Sequence, residues 1–178
     1  SAFSFLEGSS LPEELISVCA SESMPAVALL DRDGVYGAPR FHMAAKRAGL
    51  RAHIGAEVSV DDEGPQSVAP TWITTPAAPQ PVRYSLLVET AEGYRNLCRL
   101  ITQYKLREKA KGKGRTTWEE LQAHSKGLVC LTGGAEGPLA AALASGGYDA
   151  AKNEVERLIQ VFGTSNVYVE LQRHFDRQ

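Results

Sequence analysis

The stretch Pro25-Ala-Val-Ala-Leu-Leu-Asp-Arg-Asp-Gly34 decides the fold of this chain. Its apolar run is too short for a helix and ends in the turn-forming cluster Asp31-Arg-Asp-Gly34, which is typical of a buried strand. Apolar residues at helical spacing follow over residues 41–48 and stop at Gly49, and residues 52–60 then form a second strand pattern. The order strand, helix, strand predicts an α/β fold.

Segments on both sides of this unit continue the alternation. A capping serine, a proline and a glutamate predict a helix over residues 11–22. Further along, the patterns predict strands at 83–89, 127–132 and 166–172, and helices at 91–104, 116–121, 138–143 and 148–162. This alternation favours a mainly parallel sheet with helices outside it, either an open doubly wound sheet or a barrel. Residues 61–81, rich in proline and alanine, suit an inserted hairpin or flap.

Length and composition indicate one ordinary globular domain. The chain has 178 residues, a net charge of −2 and three cysteines, and that charge gives it no general affinity for phosphate backbones. Cys19, Cys98 and Cys130 form no CxxC pair and lie in apolar runs, which indicates a reducing, cytoplasmic setting. The opening SAFSFLEGSS has neither an initiator Met nor the basic region of a signal peptide, so we expect a truncated, unexported protein.

Polar groups that close the predicted strands are the candidates for chemistry, because working residues of α/β folds gather at strand ends. Glu57 shares a strand face with His53, and Glu170 lies near His174, which are ligand types suited to divalent metals. The alternative is that Asp31 and Asp33 make Asx-type turn hydrogen bonds while Glu57 and Glu170 are solvated or paired with cations. Spacing alone favours that structural alternative. The full candidate set is Asp31, Asp33, Glu57, Gly133, Glu170 and His174.

Two glycine-containing segments have a structural and a functional interpretation. Residues 133–137, after a predicted strand, could cradle a phosphate, but they match neither the dinucleotide fingerprint nor the P-loop, so a tight turn is favoured. Residues 105–115 are rich in lysine and arginine and form either a solvated loop, which we favour, or a contact for phosphate or an acidic partner. No GxSxG motif occurs.

Six motifs occur in order along nearly the whole chain. They are Ser1-Ala-Phe-Ser-Phe-Leu-Glu-Gly8, Ala28-Leu-Leu-Asp-Arg-Asp-Gly-Val-Tyr-Gly37, Gly55-Ala-Glu57, Glu92-Gly-Tyr-Arg-Asn-Leu97, Gly127-Leu-Val-Cys-Leu-Thr-Gly133 and Tyr168-Val-Glu-Leu-Gln-Arg-His174. Together they resemble the motifs of the polymerase and histidinol phosphatase (PHP) domain that opens bacterial C-family DNA polymerases. The runs around Gly93 and the Asp-Arg-Asp-Gly turn are more similar to the error-prone branch than to the replicative alpha subunit.

This resemblance implies an α/β fold in the form of an incomplete distorted (β/α)7 PHP-type barrel. Residues 1–178 would be a single domain fragment that lacks the first strand and the last barrel units. The family holds up to three metals, such as Zn, Mn or Mg, at its strand ends, and some members hydrolyse phosphoesters. The polymerase active site of the family lies in later domains.

The resemblance assigns metal ligands residue by residue. Glu7, Glu57 and His174 match ligand positions, and Asp31 begins the family's Asp-His motif. Arg32 stands where that motif has His, Arg83 replaces a strand-end His, and Gly134 takes a position often held by Cys. A guanidinium stays protonated and cannot ligate, and it opposes cation binding, so we expect a degenerate site in which Arg32 pairs with Glu57.

Three functions remain open from the sequence. The first is a structural or docking domain of an error-prone DNA polymerase, with the other polymerase domains and, through them, DNA as partners, and with nucleotidyl transfer for repair and replication performed elsewhere. The second is an active metal-dependent phosphoesterase or 3′–5′ proofreading exonuclease. The third is a free-standing binding domain that uses residues 105–115 to hold an acidic partner. An exposed barrel edge could also drive dimerisation.

Overall fold

Helices and strands alternate through the part of the chain that the computed structural model describes, which is residues 1–4, 8–61, 81–110 and 112–171. Proline in the first turn begins three of the helices, and threonine side chains cap two others. None of these helices is long and apolar enough to cross a membrane. The helices are Pro12–Ser21 (α1), Ala38–Ala48 (α2), Ala91–Arg107 (α3), Trp118–Ala123 (α4) and Pro138–Phe162 (α5).

The long helix α5 joins two helices that the sequence predicts separately. Gly147 lies inside it with a φ of 68°, in the left-handed region that glycine adopts without steric cost, and it kinks the helix there. The predicted boundary at residues 144–147 is therefore a kink between two helical segments.

The strands form one sheet around the long central strand β2. Its order is β1-β2-β3-β5-β6, and the short β4 pairs with the end of β2. The residues of β2 from Arg51 to Glu57 pair with β1, and its last two residues, Val60 and Asp61, pair with β4. The strands are Ala26–Arg32 (β1), Arg51–Asp61 (β2), Val82–Val88 (β3), Thr116–Thr117 (β4), Leu128–Leu131 (β5) and Val167–Tyr168 (β6).

The α/β class is confirmed, but the sheet is partial and mixed where the sequence favoured a mainly parallel one. β3 runs antiparallel to both β2 and β5, whereas β1 with β2 and β5 with β6 are parallel pairs. The direction of β3 departs from the expectation because a strand covered on its apolar face shows the same run of residues whichever way its neighbours point. The predicted hairpin at 61–81 falls on residues 62–80, which lie outside the described residues, and closure into a barrel stays a prediction.

Strand alternation separates an apolar face of the sheet from a polar one. Ala56 and Val58 of β2, and Tyr84 and Leu86 of β3, are buried on the face that α3, α4 and α5 cover. The intervening positions are polar, and they include Glu57, Ser59, Arg83 and Ser85. A smaller core, where α1 and α2 pack on β1, consists of Ile16, Leu29, Phe41 and Ala45.

Helix α4 begins with a capping box that also holds the end of α3. The Thr117 hydroxyl accepts a hydrogen bond from the backbone N–H of Glu120, and the Glu120 carboxylate accepts one from the Thr117 N–H at 3.0 Å. Arg107 at the end of α3 forms an ion pair with the same carboxylate. The hydrogen bond from Arg107, followed by those from Thr117 and Thr116, lowers the pKa of Glu120 to about 2, although burial opposes the shift.

Glu120→Gln is expected to remove part of the acid sensitivity of the fold. A carboxyl group whose pKa is lower in the folded chain stabilises it fully above the ordinary value of 4.5, and this contribution disappears as the pH falls towards 2. Because Arg107 is half-exposed, we expect a discounted contribution of about 1–2 kcal/mol, measured as the free energy of unfolding in urea between pH 6 and pH 2.5.

The matched control is Glu119→Gln, which removes an exposed carboxylate from the same first turn. It should leave the acid sensitivity within about 0.5 kcal/mol of the unchanged chain. Equal effects of the two variants would mean that the capping box contributes nothing beyond the general charge at the start of the helix.

Candidate functional site

The polar face of the sheet opens into a cleft of about 840 Å³ at the strand ends. The end of β1 supplies Arg32 and Asp33, and the start of β3 supplies Arg83, because β3 runs in the opposite direction. Lys105 and Lys109, at and beyond the end of α3, form another wall. The cleft therefore lies where the end of β1 and the start of β3 meet, and Asp33 is the member of the candidate set that lines it.

Asp31 lies fully buried at the base of the site. Its Oδ1 accepts hydrogen bonds from the hydroxyls of Ser1 and Ser4, at 2.7 and 3.1 Å, and its Oδ2 accepts one from the Gly37 backbone N–H at 3.1 Å. Burial raises the pKa of Asp31, and the hydrogen bonds from the Ser1 hydroxyl and the Gly37 N–H lower it. Asp31 thus holds the N-terminal segment and the start of α2 against β1.

Asp33 connects three elements through one carboxylate. Ser59 on β2 donates to it twice, from its backbone N–H and from its hydroxyl, each at 2.9 Å. The Tyr104 hydroxyl on α3 donates to Oδ1 at 2.8 Å. Burial, and then the Asp33 charge, raises the pKa of Tyr104, so its hydroxyl stays a donor. Asp33 itself has a φ of 46°, a left-handed conformation that aspartate tolerates better than most residues.

These contacts correct the structural alternative for the two aspartates. Neither Asp31 nor Asp33 makes an Asx-type bond to the N–H two residues ahead; their described partners are at least six residues away in sequence. Both carboxylates accept hydrogen bonds, as that alternative proposed, but the bonds join distant segments where it placed a local turn.

Arg32 and Arg83 form a chain of ion pairs with two glutamates. Arg32 Nε lies 3.4 Å from Glu57 Oε2, and Arg32 Nη2 lies 2.7 Å from Glu136 Oε2. Arg83 Nε is 3.4 Å from the same Glu136 oxygen. The pairing of Arg32 with Glu57, which the sequence predicted, is present, and the four side chains carry two positive and two negative charges. We refer to these four residues as the charge quartet.

Glu136, the fourth member of the charge quartet, lies in a tight turn at residues 133–137. The Gly137 N–H donates to the Gly134 carbonyl at 2.9 Å, and the Arg83 N–H donates to the Glu136 carbonyl at 3.0 Å. Gly133 has a φ of 69°, and a Cβ at Gly137 would lie 2.4 Å from the Thr132 carbonyl oxygen, so both positions require glycine. The tight-turn interpretation is confirmed.

The described residues of this site do not fit a metal centre. Both glutamates contact guanidinium groups, Gly134 brings no side chain, and no group of three His, Cys, Asp or Glu side chains with metal-binding geometry occurs within the described residues. Glu7 and His174 lie outside the described residues, so the proposed ligand set Glu7, Glu57 and His174 stays a prediction. Zn, Mn or Mg as a cofactor likewise stays one.

Some candidate residues lie apart from the site. His53 is exposed and pairs in register with Ala28, near the opposite end of β1 from Arg32. His124 follows α4, where its Nδ1 lies 2.8 Å from the Glu120 carbonyl oxygen. The basic loop predicted at 105–115 begins later, because α3 continues to Arg107. Sequence patterns gave no role to Glu136, and only its place in a turn after a predicted strand end could have suggested one.

Comparison with known proteins gives one family and several relatives. The PHP domain family model matches residues 1–174. An error-prone DNA polymerase of Mycolicibacterium paratuberculosis is 39% identical over 175 residues, which are 98% of this chain and 15% of that protein. DNA polymerase III subunit alpha of Caulobacter vibrioides is 34% identical over 98% of this chain and 14% of that protein. The chain therefore spans about one-seventh of the length of these relatives.

A solved structure of an amidohydrolase from Chromobacterium violaceum is similar to part of the chain. It is 25% identical, covers 56% of this chain and 29% of that protein, and has a TM-score of 0.39.

Asp33→Ala is expected to destabilise the fold by about 3–4 kcal/mol. It leaves the Ser59 N–H, the Ser59 hydroxyl and the Tyr104 hydroxyl without their acceptor, and it places alanine in a left-handed conformation. Asp33→Asn keeps one acceptor oxygen and tolerates that conformation, so it should cost about 1 kcal/mol. Urea unfolding followed by circular dichroism measures both. If the two variants lose the same stability, the carboxylate does not hold β2 and α3 as inferred.

Proposed function

The chain belongs to the PHP domain family, and we propose that it is the PHP domain of an error-prone DNA polymerase, serving as a structural and docking domain. In this proposal DNA synthesis and damage tolerance are performed by polymerase domains beyond the present sequence. The similarity to the leading part of an error-prone polymerase supports that parent, and the length of such relatives supports further domains as partners.

The charge quartet is the observation that carries the structural role. Arg32 and Arg83 present guanidinium groups at strand ends, and each contacts a carboxylate that would otherwise be available as a ligand. A divalent cation prefers a site with net negative charge, whereas these four side chains sum to zero. Metal uptake would require breaking ion pairs and bringing a cation close to two guanidinium groups.

The same contacts give the quartet a stabilising function. Arg32 belongs to β1, Glu57 to β2 and Arg83 to β3, and Glu136 comes from the turn after β5. Three ion pairs therefore link four segments of the sheet, at side-chain exposures between 16% and 49%. Pairs at this level of exposure contribute modestly one by one, and more as a network. We infer that they hold the strand ends together without a metal ion.

Elemental analysis tests this proposal. We expect the purified chain, after incubation with Zn²⁺, Mn²⁺ or Mg²⁺ and desalting, to retain less than about 0.1 metal ion per chain, because bound guanidinium groups oppose cations. We also expect no chelator-sensitive cleavage of single-stranded DNA or of a simple phosphodiester such as bis(p-nitrophenyl) phosphate.

The double variant Arg32→His and Arg83→His provides the comparison, since it replaces two cations with imidazoles that can ligate. It should retain at least several times more Zn²⁺ than the unchanged chain under the same treatment. Stoichiometric metal in the unchanged chain, together with cleavage that EDTA abolishes, would instead establish an active phosphoesterase or exonuclease and refute the structural role.

A further inference from the structure

The outer face of α3 carries a slanted row of side chains that no described element covers. Every fourth residue from Tyr94 to Leu106 lies in this row, which is the spacing of a surface ridge on a helix. Leu106 is 81% exposed and Tyr94 37%, and Cys98 is half-buried between them. We call the row Tyr94, Cys98, Thr102 and Leu106 the α3 ridge.

A hollow lies on each side of the α3 ridge. One, of about 310 Å³, is lined by Cys98, Thr102 and Leu106 together with Val35 and Tyr36 from the turn after β1. The other, of about 440 Å³, is lined by Cys98 and Thr102 together with Arg99, Gln103 and His124. A ridge between two hollows is a surface into which side chains of another helix can interdigitate.

The charge around the α3 ridge is positive. Arg95 and Arg99 lie on the next row of the helix, both exposed, and neither has a carboxylate partner within the described part of the chain. Lys105 borders the first hollow, where its Nζ contacts the Tyr36 hydroxyl at 2.8 Å. Neither hollow has an Asp or Glu in its lining. A partner that brings carboxylates would therefore meet unpaired cations beside an apolar ridge.

The strand-end cleft is a poorer candidate for an anionic partner. Its arginines, Arg32 and Arg83, already contact Glu57 and Glu136, and Glu108 also lines it. Arg95 and Arg99, beside the α3 ridge, have no such carboxylate partners within the described residues. An acidic group is therefore attracted more strongly to α3 than to the cleft.

We propose that the α3 ridge is a docking surface for an acidic amphipathic helix supplied by the part of the polymerase chain that lies beyond the present sequence. The ridge spans 12 helical steps, about 18 Å, which matches a partner helix of three to four turns. Apolar residues of that helix would enter the hollow lined by Val35 and Leu106, and its Asp or Glu residues would lie over the second hollow and pair with Arg95 and Arg99. The inference rests on the proposed function, because the polymerase relatives supply about six-sevenths of their length outside the matched region.

Single-stranded DNA fits this surface less well than an acidic helix. A nucleic-acid groove needs a continuous row of cations along the phosphate backbone and exposed rings on which bases stack. The rings of Tyr36 and Tyr94 are exposed, but Arg95 and Arg99 are only one helical turn apart on one side of the ridge and form no continuous row of cations, and the side chains in the middle are Cys98 and Thr102. The apolar and hydroxyl character of the ridge favours a protein helix.

Thiol modification in the intact polymerase tests the proposal, because Cys98 lies in the middle of the ridge. Cys19 on α1 is also half-buried and serves as the internal reference, and both cysteines are free. The rate of N-ethylmaleimide modification at each is measured by mass spectrometry in the purified full-length polymerase and in the present chain. We expect Cys98, relative to Cys19, to react at least about tenfold more slowly in the full-length protein, since thiol reactivity follows exposure.

A pair of matched variants tests the role of charge. Arg95→Gln with Arg99→Gln removes two cations beside the ridge, and Lys46→Gln with Arg47→Gln removes two exposed cations from α2. In the full-length polymerase the first pair should restore most of the Cys98 reactivity, and the second should leave the protection unchanged. In the isolated chain the α2 pair should leave the Cys98 rate unchanged, and the α3 pair should only slow it, because cations beside a thiol favour the reactive thiolate; protection is therefore the ratio of rates in the two proteins for each variant.

Each other outcome overturns the proposal. Equal Cys98 reactivity in both proteins would mean that the polymerase does not cover the ridge, and protection insensitive to Arg95 and Arg99 would mean that no acidic segment is held there. Protection of the isolated chain that rises with its concentration indicates a second copy as the occupant, and protection only on adding a single-stranded oligonucleotide indicates nucleic acid. Elemental analysis of bound metal does not depend on the Cys98 modification rates. The proposal of a docking surface and the proposal of a metal-free site can therefore be refuted independently.

Discussion

The carboxylate of Asp33 is the constraint on which the strand-end architecture depends. β1 stops pairing with β2 at Glu57, and β4 begins pairing with it at Val60. Between them Ser59 would have an unsatisfied N–H and hydroxyl, and Asp33 accepts hydrogen bonds from both. Asp33 accepts a third hydrogen bond from the hydroxyl of the buried Tyr104, which attaches α3 to the same carboxylate. Because a buried donor without a partner is costly, this one side chain fixes the relative positions of β1, β2 and α3.

The charge quartet follows from that arrangement. Arg32 precedes Asp33 and pairs in register with Glu57, so the two side chains lie on the same, polar face of neighbouring strands. Antiparallel β3 then places Arg83 opposite Ser59, one position along that face, and the turn at residues 133–137 brings Glu136 across both arginines. Once the strand order and directions are set, the four charges meet without any further distortion of the backbone.

Sequence patterns predicted the order and type of the helices and strands because caps, prolines and apolar spacing are local properties. They could not give strand direction, which depends on distant pairing, nor the partners of Asp33, which lie 26 and 71 residues away. On α5 the buried residues include Glu154, a charged side chain that apolar spacing does not select. The Tyr84 hydroxyl donates to its carboxylate and Arg157 pairs with it, contacts that no local pattern encodes. Glu136 was missed for the same reason.

The family resemblance and the local chemistry of the site lead to different expectations, and the ion pairs of the charge quartet support the structural role that we propose. Resemblance alone places a metal cluster at the strand ends, whereas two arginines at ligand positions imply a site that holds its carboxylates by ion pairs. An arginine guanidinium is a planar, positively charged group with several hydrogen-bond donors. One such side chain can therefore join two carboxylates without a bound metal ion. The arginines also neutralise the negative charge of the carboxylates, and that negative charge is what would attract a metal ion. A domain held together in this way would keep its sheet assembled without a metal ion, as expected for the structural role that we propose.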